Sequence, residues 1–203
     1  MAAVITRNGK VLQDPPFVQK LLNDPRAAWL WLPLRIWVGY QWISASLHKL
    51  SSPAWMQTGD ALKGFWAGAV AIPESGSPAI HFDWYRSFLQ MMLNAQAYTW
   101  FAKVIACGEF LVGLGLIVGA FVGIAAFFGA LMNFNFMLAG SASTNPVLFA
   151  IAVGLILAWK VAGYVGADYF LLRWIGVPWS GTQEGSASGY GKPVEGQSLA
   201  GTD

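Results

Sequence analysis

Charge is what this sequence has least of. Its 203 residues include 12 Lys and Arg against 10 Asp and Glu, 11% in all, with a formal net charge of +2. A soluble domain carries about 25% charged residues, so this chain has less than half of what a water-facing surface needs. The slight basic excess excludes a nucleic-acid binder, which requires a basic face. A hydrophobic content of 56% excludes a disordered chain. Cysteine is also scarce. Cys107 stands alone, so neither an intrachain disulfide nor a Cys-x-x-Cys relay is possible. The only histidines are His48 and His81. A b-type haem in a helix bundle takes two histidines at matching depth, and two histidines beside Asp83 are too few for a metal site. No Gly-x-Gly-x-x-Gly stands between a strand and a helix, so no dinucleotide fold is expected. The expectation is therefore no haem, no metal and no nucleotide. Any redox role would rest on a diffusible quinone, a partner's cofactor or a substrate held by charge.

What is present in quantity is apolar: 11 Trp and 13 Phe, more than one small soluble core requires. Between Glu109 and Lys160 lie 50 residues without an Asp, Glu, Lys or Arg. A helix needs about 20 apolar residues to cross a bilayer, so this stretch is long enough for two crossings. The pattern predicts an all-α integral membrane protein with a four-transmembrane-helix bundle, its spans at about 29–50, 98–118, 122–139 and 147–167. Gly119 and Gly123 bracket the turn between spans two and three, because glycine accepts a tight reversal. Gly140 to Pro146 breaks spans three and four, and Pro146 suits the start of the next helix. A buried soluble bundle would need polar outer faces that the last three spans do not have.

Residues 1–28 read as a cytoplasmic N-terminal arm. It shows no signal peptide, and residues 17–22 are suited to an amphipathic segment on the membrane surface. Residues 179–203, rich in Gly and Ser, read as a disordered tail. Arg7, Lys10, Lys20, Arg26 and Arg173 flank the spans on the terminal side, so the positive-inside rule places both termini in the cytoplasm. The loop 51–97 then faces out. Within it, 54–66 and 84–93 have helical apolar spacing and read as short interfacial helices forming a lid, separated by Pro73, Gly76 and Pro78.

Ionisable groups inside spans cost roughly 2.5–3.5 kcal/mol each near the centre and face the protein interior. Arg35, Gly39, Trp42, Ser46 and Lys49 fall on one stripe of the first helix. Glu109 lies near the middle of its span, with Arg35 and Lys160 both in position to neutralise it. Two readings stand open for Glu109: a structural ion pair that fixes helix register, or a proton-handling carboxylate beside a quinone or ion path. Lys103 either snorkels to the outer interface or joins His48, Lys49, His81 and Arg86 in a pocket for a small anion. Ordinary interfacial charge is the simpler reading of that outer cluster. Asn133 and Asn135 are two residues apart and point to different sides, so at most one meets a given partner.

The stretch Leu34 to Trp42, continuing to His48-Lys-Leu50, resembles the first helix of the DoxX/DoxD family. Gly108-Glu-Phe and the glycine-spaced run to Gly119 resemble its second helix. Gly163-Tyr-Val-Gly-Ala-Asp168 resembles the closing signature, with Ala167 where Leu is common. Trp84 to Leu89 and Asn145-Pro146 are similar to the longer, DoxD-type members. The resemblance covers about residues 29–178 and implies a multi-pass protein of the prokaryotic cytoplasmic (inner) membrane. It further implies a membrane subunit of thiosulfate:quinone oxidoreductase type, with Arg35, Lys49, Glu109 and Asp168 as the family-like polar residues.

Two functions from different classes follow. The first is a quinone-linked oxidoreductase subunit acting on a sulfur oxyanion such as thiosulfate. In it His48, Lys49, Arg86 and Lys103 bind the oxyanion, Glu109 is catalytic, and Arg35, Lys160 and Asp168 are structural charges. The second is a non-catalytic integral subunit that stabilises or anchors a larger respiratory or photosynthetic membrane complex. The expected partners are the bilayer and other membrane or redox subunits. A small-solute or lipid-handling role is a third.

Overall fold

The computed structural model describes residues 4–5, 11–12 and 14–175; the expected tail at 179–203 lies outside them. Apart from a two-residue ladder pairing Val4–Ile5 with Val11–Leu12, the described residues are helical or connecting. A short helix α1 (Pro16–Asn23) and a 3₁₀ turn (Pro25–Ala27) lead into the long α2 (Ala28–Leu50). Then come α3 (Pro53–Met56), α4 (Asp60–Val70) and α5 (Asp83–Asn94). The bundle is completed by α6 (Tyr98–Val118), α7 (Val122–Leu138) and α8 (Asn145–Leu157), followed by α9 (Trp159–Ala162) and α10 (Asp168–Ile175).

Helices α2, α6 and α7 lie where the apolar runs put the first three spans. Of the described helices, α6 alone is both long and apolar enough to cross a membrane. Helix α2 has 23 residues, but Arg35, Gln41, His48 and Lys49 dilute its apolar character. Helices α7 and α8 are strongly apolar but only 17 and 13 residues long. The expected fourth span needs correction. Its run is not one helix: the backbone leaves α-geometry at Ala158, makes the single turn of α9 and reverses through residues 163–167 before α10. That reversal delivers carbonyls to Arg35 and a carboxylate to the start of α7, a demand that hydropathy does not register.

The main packing pairs α2 with α6 and α7 with α8, and α6 also meets α7. The α2–α6 contact is unusually close. A Cβ on Gly39 would lie 2.8 Å from the Ile117 side chain and 3.0 Å from the Gly113 carbonyl oxygen. One on Gly113 would lie 2.8 Å from the Ile43 backbone nitrogen. Each glycine therefore sits against the partner helix's backbone, the device by which small residues let helices approach. One core lies along these helices around Val38, Trp42, Leu116, Val122, Ala126 and Leu155. A second lies where α4 and α5 cover the first turns of α6, around Leu62, Trp66, Tyr85, Leu89 and Ala102. The α1 segment joins the first core through Leu21 and Leu22, and the Trp31 indole donates to the Leu21 carbonyl at 2.9 Å.

The α6–α7 turn also departs from expectation. Gly119 is left-handed at φ 74°, as a helix C-cap favours, but the second left-handed residue is Phe121 at φ 49°. Gly123 is already inside α7, and its missing Cβ makes room for Trp159, whose own Cβ would be 2.9 Å away.

Outward-facing side chains are apolar along much of the bundle. On α7, Ile124, Phe127, Phe128, Leu131 and Phe134 form one exposed stripe. On α6 the exposed positions include Trp100, Val104, Leu111, Leu114 and Val118.

Gly113→Leu is expected to lower stability by about 1–3 kcal/mol, the usual range for overpacking, seen as a lower thermal midpoint in detergent. Gly64→Ala, where a Cβ meets nothing within 4 Å, should leave the midpoint unchanged or slightly raised. Equal effects at both positions would refute the close-contact account.

Candidate functional site

The α2–α6 contact sets the two helices antiparallel with a definite offset. Gly39 lies opposite Gly113 and Ile117, so Lys49, near the end of α2, meets Glu109 in the middle of α6. The Lys49 ammonium donates to Glu109 Oε1. Glu109 is 1% exposed, while the lysine side chain keeps 19% of its surface open. Trp55 and Phe136 flank the ammonium, their ring centroids 5.0 and 5.5 Å away, where ring faces attract a cation. The expectation that Arg35 or Lys160 neutralises Glu109 is therefore corrected: its partner is Lys49.

This pair forms one wall of a cavity of about 440 Å³. Trp42, Trp55, Phe65, Phe136 and Leu148 supply its apolar surface, and Gln41, Ser44, His48 and the α7–α8 connection from Ser141 to Asn145 its polar rim. Three of its lining residues carry four buried atoms without a hydrogen-bond partner: Glu109 Oε2, Trp42 Nε1, and both the oxygen and nitrogen of the Asn133 amide. Buried polar groups in folded proteins are almost always paired, and each orphan costs about 1–3 kcal/mol. Here all three residues border one cavity. Asn135 differs, as two-residue spacing on a helix requires: its Nδ2 donates to the Leu131 carbonyl at 2.8 Å, and its Oδ1 accepts from Tyr85 at 3.3 Å. The Tyr85 hydroxyl also donates to the Asn135 carbonyl at 3.0 Å, and burial pushes that phenol above its ordinary value.

The outer cluster expected from the sequence does not assemble. His48 and Lys49 line the cavity, but Arg86 and Lys103 do not. Arg86 is held by the Ile80 carbonyl and by Asp83 at 2.8 Å. Lys103 is exposed on the far side of α6, and His81 is exposed in the α4–α5 connection. The physical reason is the helix face. Lys103 lies on the exposed side of α6, whereas Glu109, which Lys49 meets, lies on its buried side.

The remaining ionic residues build a second network at the opposite end. Arg35, 2% exposed, donates from Nη1 to the Ala162 carbonyl at 2.8 Å and from Nη2 to the Val165 carbonyl at 2.9 Å. Asp168, 1% exposed, accepts from the Phe121 and Val122 amides, the latter at 2.9 Å. Those are orphan donors at the start of α7, and the carboxylate holds the left-handed Phe121 in place. Gly119 and Gly166 lie so close to Arg35 and to each other that a Cβ on either would collide. Lys160 stands apart, its ammonium 5.6 Å from the Trp159 ring centroid. Helical spacing places Trp42 on the inward stripe, and Asn133 stands out as a polar residue in an apolar run. That both border one cavity with unpartnered polar atoms is not legible in the sequence, since hydropathy carries no information on which polar atoms lack partners.

Compared with known proteins, the chain matches no family model, no curated protein and no solved structure.

Lys49→Met should leave the buried Glu109 charge unpaired and cost about 3–5 kcal/mol. The double change Lys49→Met with Glu109→Leu should recover most of that loss, as thermal unfolding of the set will report. At the other network, Asp168→Ala strips the acceptor from two buried amides and should lower stability by about 2 kcal/mol or more. Its effect should exceed that of Lys160→Ala, whose ammonium makes only a ring contact.

Proposed function

We propose that this chain is a DoxX/DoxD-like four-helix membrane protein and a quinone-linked oxidoreductase subunit, whose polar cavity receives the quinone head group. The observation that carries this reading is that Glu109, Trp42 and Asn133, whose Oε2, Nε1 and amide atoms have no hydrogen-bond partner, line one aromatic-walled cavity beside Lys49. A quinone ring is flat and offers two carbonyl acceptors. Trp42 Nε1 and Asn133 Nδ2 are donors for them, and Trp55, Phe65 and Phe136 are surfaces for the ring. The volume lies within the roughly 300–1,000 Å³ of small-molecule sites.

The membrane assignment is supported by the exposed apolar faces of α6 and α7, which in water would form a patch far larger than monomeric soluble proteins present. Two Trp-bearing ends, with Trp29 on α2 and Trp174 on α10 at one and Trp84 and Trp100 at the loop side, suit the two interfaces. The short α7 and α8 fit this reading if the bundle's inner end is closed by the Arg35–Asp168 network.

Reducing a quinone to a quinol takes two electrons and two protons. The Lys49 ammonium stabilises the charge developing on a quinone oxygen and then gives up its proton to that oxygen through Glu109; water at the Ser141–Asn145 rim restores the pair's proton and supplies the second one. With Lys49 engaged by Glu109, and Arg86 and Lys103 elsewhere, the cavity has little net positive charge for a dianion. On the resemblance to the DoxX/DoxD family, the two electrons come from a sulfur oxyanion such as thiosulfate, two of which lose one electron each and join as tetrathionate, and the uncharged character of this cavity assigns that oxidation to a partner subunit.

In nanodiscs holding the protein with its copurifying subunits, Glu109→Gln should keep assembly and lower thiosulfate-dependent quinone reduction tenfold or more. Unchanged turnover would remove Glu109 from the chemistry. Copurification with cytochrome subunits and no such activity in the wild type would favour the anchoring-subunit reading instead.

A further inference from the structure

A second cavity, of about 170 Å³, lies between α4 and α5 on one side and α6 and α7 on the other. Leu62, Trp66, Leu89, Phe101, Ile105 and Met132 make it almost wholly apolar. Its polar edges, Tyr85 and Asn135, satisfy each other. At one end Phe65 and Phe136 belong to both cavities, their rings edge to face with centroids 6.3 Å apart. At the other end Phe88 and Leu131, 41% and 45% exposed, open the slot onto the apolar stripe of α7. A polar cavity, an aromatic partition, an apolar slot and an apolar surface thus follow one another in space.

The slot is smaller than a whole-ligand site, for which roughly 300 Å³ is the lower end. It has no free polar atom with which to orient a separate molecule. What it can recognise is hydrocarbon attached to something else. We infer that the slot holds the first segment of the hydrocarbon chain of an amphiphile whose hydrogen-bonding head fills the polar cavity. On the quinone reading, on which this rests, that segment is the quinone's own side chain. Phe65 and Phe136 turn aside to pass it, and the remainder leaves between Phe88 and Leu131 into the surrounding hydrocarbon. Entry is then lateral, which suits a ligand that never leaves the bilayer.

The test measures calorimetric dissociation constants for a benzoquinone bearing a decyl chain, the same ring bearing a methyl group, and decanoate. Wild type is compared with Met92→Trp and Leu131→Trp, each of which fills the slot from a half-buried or exposed position. Both variants should weaken the decyl quinone tenfold or more and leave the methyl quinone within twofold; that retained binding also reports an intact fold. Equal effects on the two quinones, or none on either, overturn the inference and leave the head-group reading standing. Binding of decanoate alone, sensitive to both variants, supports the slot and overturns the quinone as its occupant. Failure of the wild type to bind any of the three overturns both.

Discussion

The close contact of α2 and α6 at Gly39 and Gly113 is the constraint on which the other features rest. With a side chain at either position the helices would separate or slide, and a slide of one turn is about 5.4 Å. The contact fixes which residues oppose each other along both helices. Toward one end it puts Arg35 beside the α6–α7 turn, where Gly119 leaves room for the guanidinium. Toward the other it puts Lys49 against Glu109. A buried carboxylate and a lysine on different helices cannot find each other by propensity. They meet because two glycines remove the freedom of the helices to choose another offset.

The two buried charge networks that follow are built differently, and the difference separates structure from function. Arg35 and Asp168 direct their charge at backbone groups. Two carbonyls at the α9–α10 reversal accept from Arg35, and two amides at the start of α7 donate to Asp168. These are groups that a chain reversal leaves without intrahelical partners, and satisfying them closes that end of the bundle. The Lys49–Glu109 pair touches no backbone polar group. It stands at the wall of a cavity with one carboxylate oxygen, one indole and one amide unpartnered around it. The first network completes the fold's own hydrogen bonding, while the second leaves that bonding incomplete in a single place.

Much of the fold was legible in the sequence. The charge-free stretch, Gly119, and Asn145-Pro146 located α6, α7 and the start of α8, and the stripe from Arg35 to Lys49 pointed inward as its spacing required. Depth was not legible. Aligning the runs by their ends puts Glu109 level with Gly39 and one turn from Arg35, but the helix offset is set by Gly39 and Gly113, which pack together from 74 residues apart in the chain. The broken end of the fourth run was hidden for a related reason. Residues 158–167 are as apolar as a helix needs, and only the requirement to feed carbonyls to Arg35 and a carboxylate to α7 bends them. The positive φ of Phe121 has no composition signal, since it is held by Asp168 from 47 residues away.

The same offset changes which ligand the cavity suits. Four outer cations around one space would favour a small dianion, because each contributes Coulomb attraction that a desolvated site makes stronger. One cation already paired with a buried carboxylate does not. Bringing a dianion beside Glu109 would set like charges against each other in a place with little water to screen them, with Lys49 shared between both. A neutral ring meets no such penalty. It exchanges water at Trp42 and Asn133 for its own carbonyls, lays apolar faces against Trp55, Phe65 and Phe136, and leaves the Lys49–Glu109 pair intact until a proton moves. Charge develops on such a ligand only during reduction, which is when a fixed ammonium and the proton it shares with Glu109 contribute most. The pairing that argues against a resting anion is therefore the same pairing that suits a neutral electron acceptor.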